Sequence, residues 1–194
     1  MSVSETRLMT IEEFLALPDD DGVDRELIRG ELREGERDMT RRNRTHTWIE
    51  SQIVHLLMLW LDDHPETRLE VHSGEVGCVL SRDPATSVGI DVAVATHEQE
   101  QASIDAGTTQ LEGPPLLAIE ILSPSDKLED VGGKVDLYLE SGVQIVWLID
   151  PHFQTVEIHK PGSLPVQLNR EQEICDEPLL PGLKLPVGRL FRQR

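Results

Sequence analysis

The chain has 194 residues, of which 38% are hydrophobic and only 4% aromatic, so it can build one aliphatic core but is short for two. No apolar run approaches the roughly 18 residues that a membrane span needs. The first ten residues lack a secretory signal, and the two cysteines give no disulfide framework. We therefore expect one cytoplasmic domain over residues 1–194 rather than a membrane protein or a disulfide-stapled one.

The net charge of −18 arises from 36 acidic and 18 basic residues. Because neutralised phosphates dominate the affinity for nucleic acid, this charge argues against tight, non-specific DNA binding by a monomer. Basic residues do cluster at residues 37–44 and 188–194, but solvated surface runs are the commoner explanation of such clusters. The acidity leaves open a site that meets phosphate through metal ions.

The N-terminal third predicts a short helix, a hairpin and a long helix. Thr10 and Glu13 have the spacing of a capping box, which predicts a short helix after Thr10. Residues 25–33 predict two extended arms around a central turn. Between residues 45 and 63, apolar positions recur at helical spacing and predict the longest early helix.

The middle of the chain predicts strands. Residues 69–72 and 76–80 are expected to pair around a turn at Ser73-Gly74, and residues 90–95 form a further strand. The polar segment from there to Gly113 carries no predicted element.

The most regular pattern begins at residue 116. Residues 116–122 are nearly all apolar, which is typical of a central strand covered on both faces. A helix with an apolar stripe follows and ends at Gly142, and residues 143–149 form a second buried strand. This is a right-handed crossover pattern, and the early helix should cover the other face of the sheet. With an alternating strand at 155–159 and a proline-rich tail, the fold class is α/β, a mixed α+β architecture in which helices flank a central mixed sheet.

Two carboxylates fall within these apolar strands. Glu120 lies in the middle of its strand, where burial is costly unless the charge is balanced, although an edge position or a single basic partner would explain it. Asp91 lies near the start of the 90–95 strand, where a turn or strand-start aspartate is commoner than a functional one. Two carboxylates on core strands could converge on a hard cation such as Mg²⁺. Their proximity should raise the pKa of at least one of them.

Lys134 lies on the helix that follows the Glu120 strand, four residues after Asp130. The simpler explanation is an i,i+4 ion pair with Asp130 on a solvated face. Alternatively, Lys134 leans inward beside the apolar core stripe of Val131, Val135 and Tyr138. There it would orient an attacking water molecule or stabilise charge on a phosphate.

Several motifs, taken in order, resemble the Uma-two type of putative restriction endonuclease family, within the PD-(D/E)XK phosphodiesterase superfamily. The resemblance runs over nearly the whole chain and depends on the order and spacing of the motifs rather than on any one of them. The motifs are Met9-Thr10-Ile11-Glu12-Glu13-Phe14, Glu26-Leu27-Ile28-Arg29-Gly30-Glu31-Leu32, the helix opened by His46, Ile90-Asp91-Val92, Glu120-Ile121-Leu122-Ser123-Pro124-Ser125, Asp130-Val131-Gly132-Gly133-Lys134, Val146-Trp147-Leu148-Ile149-Asp150-Pro151 and Leu180-Pro181-Gly182-Leu183.

This resemblance implies a restriction-endonuclease-like domain and a set of metal ligands. Asp91 and Glu120 match the acidic pair of the superfamily core. The resemblance also implies the Ile121 carbonyl as a further metal ligand. Glu31 matches the family's early glutamate and is expected to reach the same site.

The catalytic lysine departs from the superfamily pattern. Its usual position, two residues after the glutamate, is Leu122 here, and Lys134 occupies the place from which this family supplies its lysine. His46 is a secondary candidate because the family often carries a histidine at the start of this helix, although a surface histidine is the commoner explanation. Asp130 is the other secondary candidate for the site. The remaining histidines form no spaced metal set, so no zinc site is expected.

The leading interpretation is a phosphodiesterase that cleaves DNA and leaves 5′-phosphate ends, as the resemblance implies. Asp91, Glu120 and Glu31 would hold Mg²⁺ or Mn²⁺, and Lys134 would assist the attacking water. The alternative is a catalytically silent nuclease-fold module for binding or regulation, which could act as a homodimer. The charge of −18 favours this alternative, and the sequence leaves DNA versus RNA open.

Overall fold

The computed structural model describes residues 7–18, 22–36, 43–124, 126–175 and 177–191. The α-helices in this part of the chain are α1 (Ile11–Leu15), α2 (Arg44–Asp63), α3 (His97–Ala106) and α4 (Leu128–Ser141), with 3-10 turns at Pro65–Thr67 and Val187–Leu190. The strands are β1 (Val23–Ile28), β2 (Glu31–Glu36), β3 (Leu69–Arg82), β4 (Ala85–Thr96), β5 (Leu111–Glu112), β6 (Leu117–Ile121), β7 (Ile145–Asp150), β8 (Thr155–His159), β9 (Val166–Asn169), β10 (Glu173–Ile174) and β11 (Leu185–Pro186).

Nine of the described strands form one mixed sheet. Seven follow the order β2-β1-β4-β6-β7-β8-β9, in which only β6 and β7 are parallel neighbours. β3 pairs with β4 in antiparallel fashion over nearly its whole length, and the short β5 pairs with β3 in parallel. β10 and β11 form a separate pair. The predicted mixed sheet is confirmed.

The long strand β4 pairs with two different strands along one of its edges. Ser87 pairs with Leu27 of β1 and also with β3. Val92 pairs with Ile119 of β6 and again with β3. Since β3 occupies one edge of β4 at both positions, β1 and β6 share the other edge, one after the other. Residues 88–91 therefore lie between the two partners, where that edge is open.

The two longest helices cover opposite faces of the sheet, as the sequence pattern predicted. α2 packs residues such as Ile53 against the face that carries Ile119. α4 packs Val135 and Tyr138 against the other face, which carries Ala118. Because successive strand residues point to opposite faces, β6 presents its even-numbered residues to α4.

The predicted pair of strands at 69–72 and 76–80 is wrong. One continuous strand, β3, covers both segments and pairs with β4 instead of folding back on itself. Gly74 and Glu75 both have positive φ, +91° and +59°, at an irregularity in the β3–β4 ladder. The Ser-Gly pair thus marks a β-bulge, which inserts an extra residue and bends a strand without reversing it.

The helix α3 lies in the polar segment before Gly113, for which no element was predicted. It begins with a capping box of Thr96 and Gln99, a signal that is present in the sequence, and ends at Gly107. The proline-rich tail also contributes to the core, since residues such as Leu180 are buried among those of α2 and the sheet.

No helix in the described part of the chain is long and apolar enough to cross a membrane. Of the two basic runs, residues 37–42 and 192–194 lie outside the described residues. The remaining basic residues of these runs are Arg44, in the first turn of α2, and the exposed Arg189.

The predicted end of α4 at Gly142 is confirmed. Gly142 caps the helix with φ +108°, in the left-handed region that favours glycine. A Cβ atom at this position would lie 3.2 Å from Cγ of Pro114. Gly133 differs, because it lies within α4 and a Cβ atom there would meet no atom within 4 Å.

We predict opposite effects of alanine at these two glycines. Gly142→Ala should lower the free energy of unfolding by about 1–3 kcal/mol, because it places a side chain in a left-handed backbone. Gly133→Ala should raise it by about 0.5–1 kcal/mol, because alanine is the better helix former. Urea denaturation of both variants measures the difference. Equal effects of the two substitutions would contradict the assigned backbone conformations.

Candidate active site

Asp91 and Glu120 lie where β4 and β6 separate. The last pair of this antiparallel ladder is Val92 with Ile119, and the next opposite positions belong to Asp91 and Glu120. Opposite residues of such a pair point to the same face. Asp91 is two residues from Ala93, and Glu120 is two residues from Ala118. Both carboxylates therefore lie on the same face as these alanines, which is the face that α4 covers. Their side chains are only 10% and 14% exposed, so two acidic groups are largely buried side by side.

Asp91 is held from two sides. Its Oδ2 accepts a hydrogen bond from the backbone N–H of Ile121 at 2.9 Å. The same oxygen lies 3.1 Å from Nε2 of His46, in the first turn of α2, so His46 donates when Nε2 carries the proton. Glu50, one helical turn further, places a carboxylate oxygen 3.8 Å from Nδ1 of His46. The histidine named as a secondary candidate thus lies against Asp91, half-buried rather than on the open surface.

Glu120 is held by two side chains of α4. The hydroxyl of Tyr138, the only tyrosine in the sequence, donates to Oε1 of Glu120 at 2.6 Å. Nζ of Lys134 lies 3.2 Å from the same oxygen. Residues four apart on a helix share a face, so α4 presents both donors to β6 together. The structure therefore brings Asp91, Glu120 and Lys134 into one cluster, and it adds Tyr138, which the sequence pattern indicated only as a core residue.

The hairpin carboxylate beside this cluster is Glu26 rather than Glu31. Oε1 of Glu26, on β1, lies 3.9 Å from Nζ of Lys134. Glu31 is exposed on β2, which is one strand further from β4 than β1 is. The structure does not bring Glu31 to the cluster, because an edge strand places it beyond reach. The sequence alone offers two glutamates on adjacent arms and no means of telling which arm pairs with the core.

The other expected residues are placed as follows. Asp130 is exposed, and the ion pairs of Lys134 are with Glu120 and Glu26. The simpler explanation, an i,i+4 pair between Asp130 and Lys134, is therefore wrong. Ile121 is the last residue of β6 and directly follows Glu120, so its backbone lies at the cluster.

Burial dominates the acid–base properties of the cluster. Burial raises the pKa of Glu120; the charge of Asp91 raises it further, while Lys134 and Tyr138 oppose the rise. The expectation of a raised pKa is met, although the neighbouring carboxylate is a lesser cause than burial. Burial alone would lower the pKa of Lys134, but the charges of Glu120 and Glu26 outweigh it and raise that pKa.

The same environment acts on two other groups. Burial and the charge of Glu120 raise the pKa of Tyr138 well above its usual value, so its hydroxyl remains a donor at neutral pH. Burial, together with the charge of Glu120, raises the pKa of the Cys78 thiol to about 12. This cysteine is therefore a neutral core side chain rather than a nucleophile.

The cluster lies at a pocket of about 370 Å³ beside the open edge of β4. Asp91, Glu120 and Lys134 are among the residues that line it. Phe14 and Leu15 of α1 contribute an apolar wall. Among the described residues that line the pocket, none is a histidine or a cysteine, so the metal donors that it offers are oxygen atoms. Such a donor set fits a hard cation such as Mg²⁺ or Mn²⁺.

The raised pKa of Glu120 predicts a pH-dependent effect of Glu120→Gln in metal-free buffer. The fold favours the protonated carboxyl, so the stability that Glu120 contributes is complete below its ordinary pKa of 4.5 and is lost as pH rises through the folded-state pKa. Glutamine mimics the neutral form at every pH. The variant should therefore match wild type near pH 4 and exceed it at pH 7, by about 1.4 kcal/mol for each unit of elevation.

Chemical denaturation at a series of pH values between 4 and 7 measures this difference. Glu31→Gln is the control, since an exposed carboxylate should change stability by less than about 0.5 kcal/mol at either end of the range. A Glu120→Gln variant that is less stable than wild type at pH 7 would show that the ion pair with Lys134 outweighs burial.

Comparisons with known proteins agree with this architecture. Among solved structures, a putative nuclease belonging to DUF820 from Anabaena variabilis aligns with a TM-score of 0.72, over 94% of this chain and 97% of that chain, at 22% identity. At this identity the likeness shows a shared fold. No curated protein matches the chain. The model of the Uma2 family, described as putative restriction endonuclease, matches residues 11–188. The resemblance that the motifs predicted is therefore confirmed, and the chain belongs to the Uma2 family of putative restriction endonucleases.

Proposed function

We propose that this protein is a metal-dependent endonuclease of the PD-(D/E)XK type, which hydrolyses phosphodiester bonds of DNA. The observation that carries the proposal is the position of Asp91 and Glu120, opposite each other on one face of the sheet, with Nζ of Lys134 3.2 Å from Glu120. Family membership and the nuclease fold support it. Perturbed titratable groups that converge in a pocket are typical of catalytic sites.

Asp91 and Glu120, with the carbonyl oxygen of Ile121, are the residues that would hold Mg²⁺ or Mn²⁺. When bound, such an ion would neutralise charge on the scissile phosphate and make water a better nucleophile. The resemblance implied Glu31 as the carboxylate that the hairpin contributes. We assign this role to Glu26 of β1 instead, because Glu26 lies beside Lys134.

The remaining residues of the cluster orient and balance these carboxylates. The ammonium group of Lys134 is the one cation among the cluster residues, so it would stabilise negative charge that develops on a phosphate in the pocket. Tyr138 fixes Glu120 through its hydroxyl, and the Ile121 N–H and His46 fix one oxygen of Asp91. Preorganised donors of this kind lose little free energy to rearrangement during the reaction.

The second candidate is a catalytically silent nuclease-fold module that binds or regulates. Its support is the net charge of −18, which opposes the approach of a polyanion. The carboxylates Asp24, Glu26 and Glu75 also line the pocket and add to this repulsion. A substrate would approach such a pocket only where cations neutralise it, so the two candidates differ in what divalent metal does.

We predict that the full chain cleaves plasmid or short duplex DNA in the presence of Mg²⁺ or Mn²⁺. Asp91→Asn and Glu120→Gln should abolish cleavage, because each removes a charged ligand. Lys134→Met should lower the rate by about 10²–10³-fold, the usual effect of removing one electrostatic donor from an active site. Gel assays of nicked and linear products measure these rates.

Two neighbouring variants serve as controls. Asp130→Asn changes an exposed carboxylate on the same helix as Lys134, and Glu31→Gln changes the exposed glutamate of the hairpin. Both should keep the wild-type rate. Cleavage that persists in Glu120→Gln would point to a contaminating nuclease, and a wild-type chain without cleavage on DNA or RNA would establish the silent module.

We further predict that divalent metal stabilises the fold through the same carboxylates, whether or not cleavage follows. A ligand that binds only the native state adds about 2.7 kcal/mol at a hundredfold excess over its dissociation constant. For a chain of this size, each kcal/mol corresponds to roughly 2–4 °C in melting temperature. A shift of about 5–10 °C with saturating Mg²⁺ is therefore expected in a thermal melt.

The shift should vanish in Asp91→Ala and in Glu120→Ala. Diffuse binding to the acidic surface predicts a smaller shift that survives both substitutions. Equal shifts in wild type and both variants would show that the stabilising metal does not bind at Asp91 and Glu120. The silent module would then be the better explanation.

A further inference from the structure

A second group of metal-ligating side chains lies away from the active-site cluster. Glu70 and His72 on β3 and Glu100 on α3 each offer one ligand atom, and these three atoms lie within 4.8 Å of one another. The group shares no residue with the cluster around Asp91 and Glu120. It therefore requires its own explanation.

The local structure holds these three residues in fixed positions. Glu70 and His72 are two residues apart on a strand, so they point to the same face. They lie opposite Ala95 and Ala93, whose small side chains leave room above the sheet. Glu100 is placed by the start of α3, which the capping box of Thr96 and Gln99 fixes directly after β4.

The histidine provides a second observation. Nε2 of His72 is shielded from solvent and has no hydrogen-bond partner in the described part of the chain. The nearest carboxylate oxygen, Oε2 of Glu100, lies 3.5 Å away. A buried polar atom is normally hydrogen-bonded, because an unmade bond is costly. The imidazole and the two carboxylates thus offer three ligand atoms within 4.8 Å of one another, which is close enough for one cation to contact all three.

A further histidine supports one of the carboxylates from outside. Nδ1 of His97, the first residue of α3, lies 3.1 Å from Oε1 of Glu70. Carboxylates that bind metals are commonly held by such outer partners, which orient them. Glu98 in the same turn points elsewhere, since it pairs with Arg68 at 3.6 Å.

We propose that Glu70, His72 and Glu100 form a second divalent-cation site, which ties the first turn of α3 to β3. One imidazole and two carboxylates are a donor set that suits Zn²⁺ or Mn²⁺ better than Mg²⁺, because imidazole favours transition metals. Three protein ligands leave a position for water. A cation bound here would neutralise two carboxylates and fix α3 to the sheet.

The rival explanation is a protonated His72 that bridges the two carboxylates without a metal. The two explanations differ in metal stoichiometry, which calorimetric titration of the EDTA-treated full chain with Zn²⁺ measures. The titration uses the background Asp91→Asn/Glu120→Gln, which removes the other site. We expect one equivalent of Zn²⁺ to bind in this background.

In the same background, His72→Asn should weaken that binding at least 100-fold. Glu98→Gln, in the same turn as Glu100, is the matched control and should leave it unchanged. Titration with Co²⁺ gives a second readout, because a histidine–carboxylate site produces a visible absorption band that His72→Asn should abolish. If His72→Asn does not fold, as judged by circular dichroism, Glu100→Gln takes its place with the same expected result.

Zinc binding of equal affinity with and without His72 would overturn the proposal, as would weak binding of several equivalents in all variants. The absence of any zinc binding in this background would also overturn the proposal. None of these outcomes depends on DNA cleavage, so this test is independent of the test of the proposed nuclease activity.

Discussion

The hydrogen bond from the Ile121 N–H to the Asp91 carboxylate joins the fold to the site. β4 and β6 separate after the pair Val92–Ile119, and beyond that pair a backbone amide of β6 would lose its ladder partner. The Asp91 side chain supplies the missing acceptor at 2.9 Å. The side chain of Asp91 thus replaces the missing backbone acceptor of the ladder. The two strands can therefore diverge and open a pocket while the buried N–H of Ile121 stays hydrogen-bonded.

The same divergence leaves room for a group of charges inside the protein, at a cost in stability. Asp91 and Glu120 are removed from water, and Lys134 with Tyr138 offsets only part of that penalty, since the net pKa shift of Glu120 is upward. Buried ion clusters seldom stabilise a fold relative to apolar side chains of the same size. An arrangement that is unfavourable for stability and yet fully built from three elements is typical of a site that binds something.

The sequence predicted the parts of this structure that depend on local patterns. Glu120 stood out because one acidic residue interrupts an apolar strand, and the strand–helix–strand pattern around it predicted that α4 would cover its face. The positions of Glu26 and Glu31 could not be predicted, because they depend on which arm of a hairpin pairs with β4, a contact some 60 residues away in the chain.

Two further features that the sequence alone could not decide have the same origin. The Ser-Gly pair in β3 fits a turn and a bulge equally well, and only pairing with β4 decides between them. Tyr138 has the spacing of a core residue, and its hydroxyl matters only because β6 places Glu120 beneath it. Each of these features is set by a partner strand rather than by its neighbours in sequence.

The exchange of partners along β4 has a consequence for the order in which the protein folds. β6, α4 and β7 follow one another directly in the chain, and β4 precedes them with only α3 and β5 between, so the pair Val92–Ile119 closes a loop of 27 residues. β1 reaches β4 only by closing a much longer loop, from Leu27 to Ser87, at a larger cost in chain entropy. Contacts of long sequence separation tend to form late. We therefore expect Asp91, Glu120 and Lys134 to assemble first, as a nucleus that is still open to water, and the wall of the pocket made by α1 and β1 to close over it last.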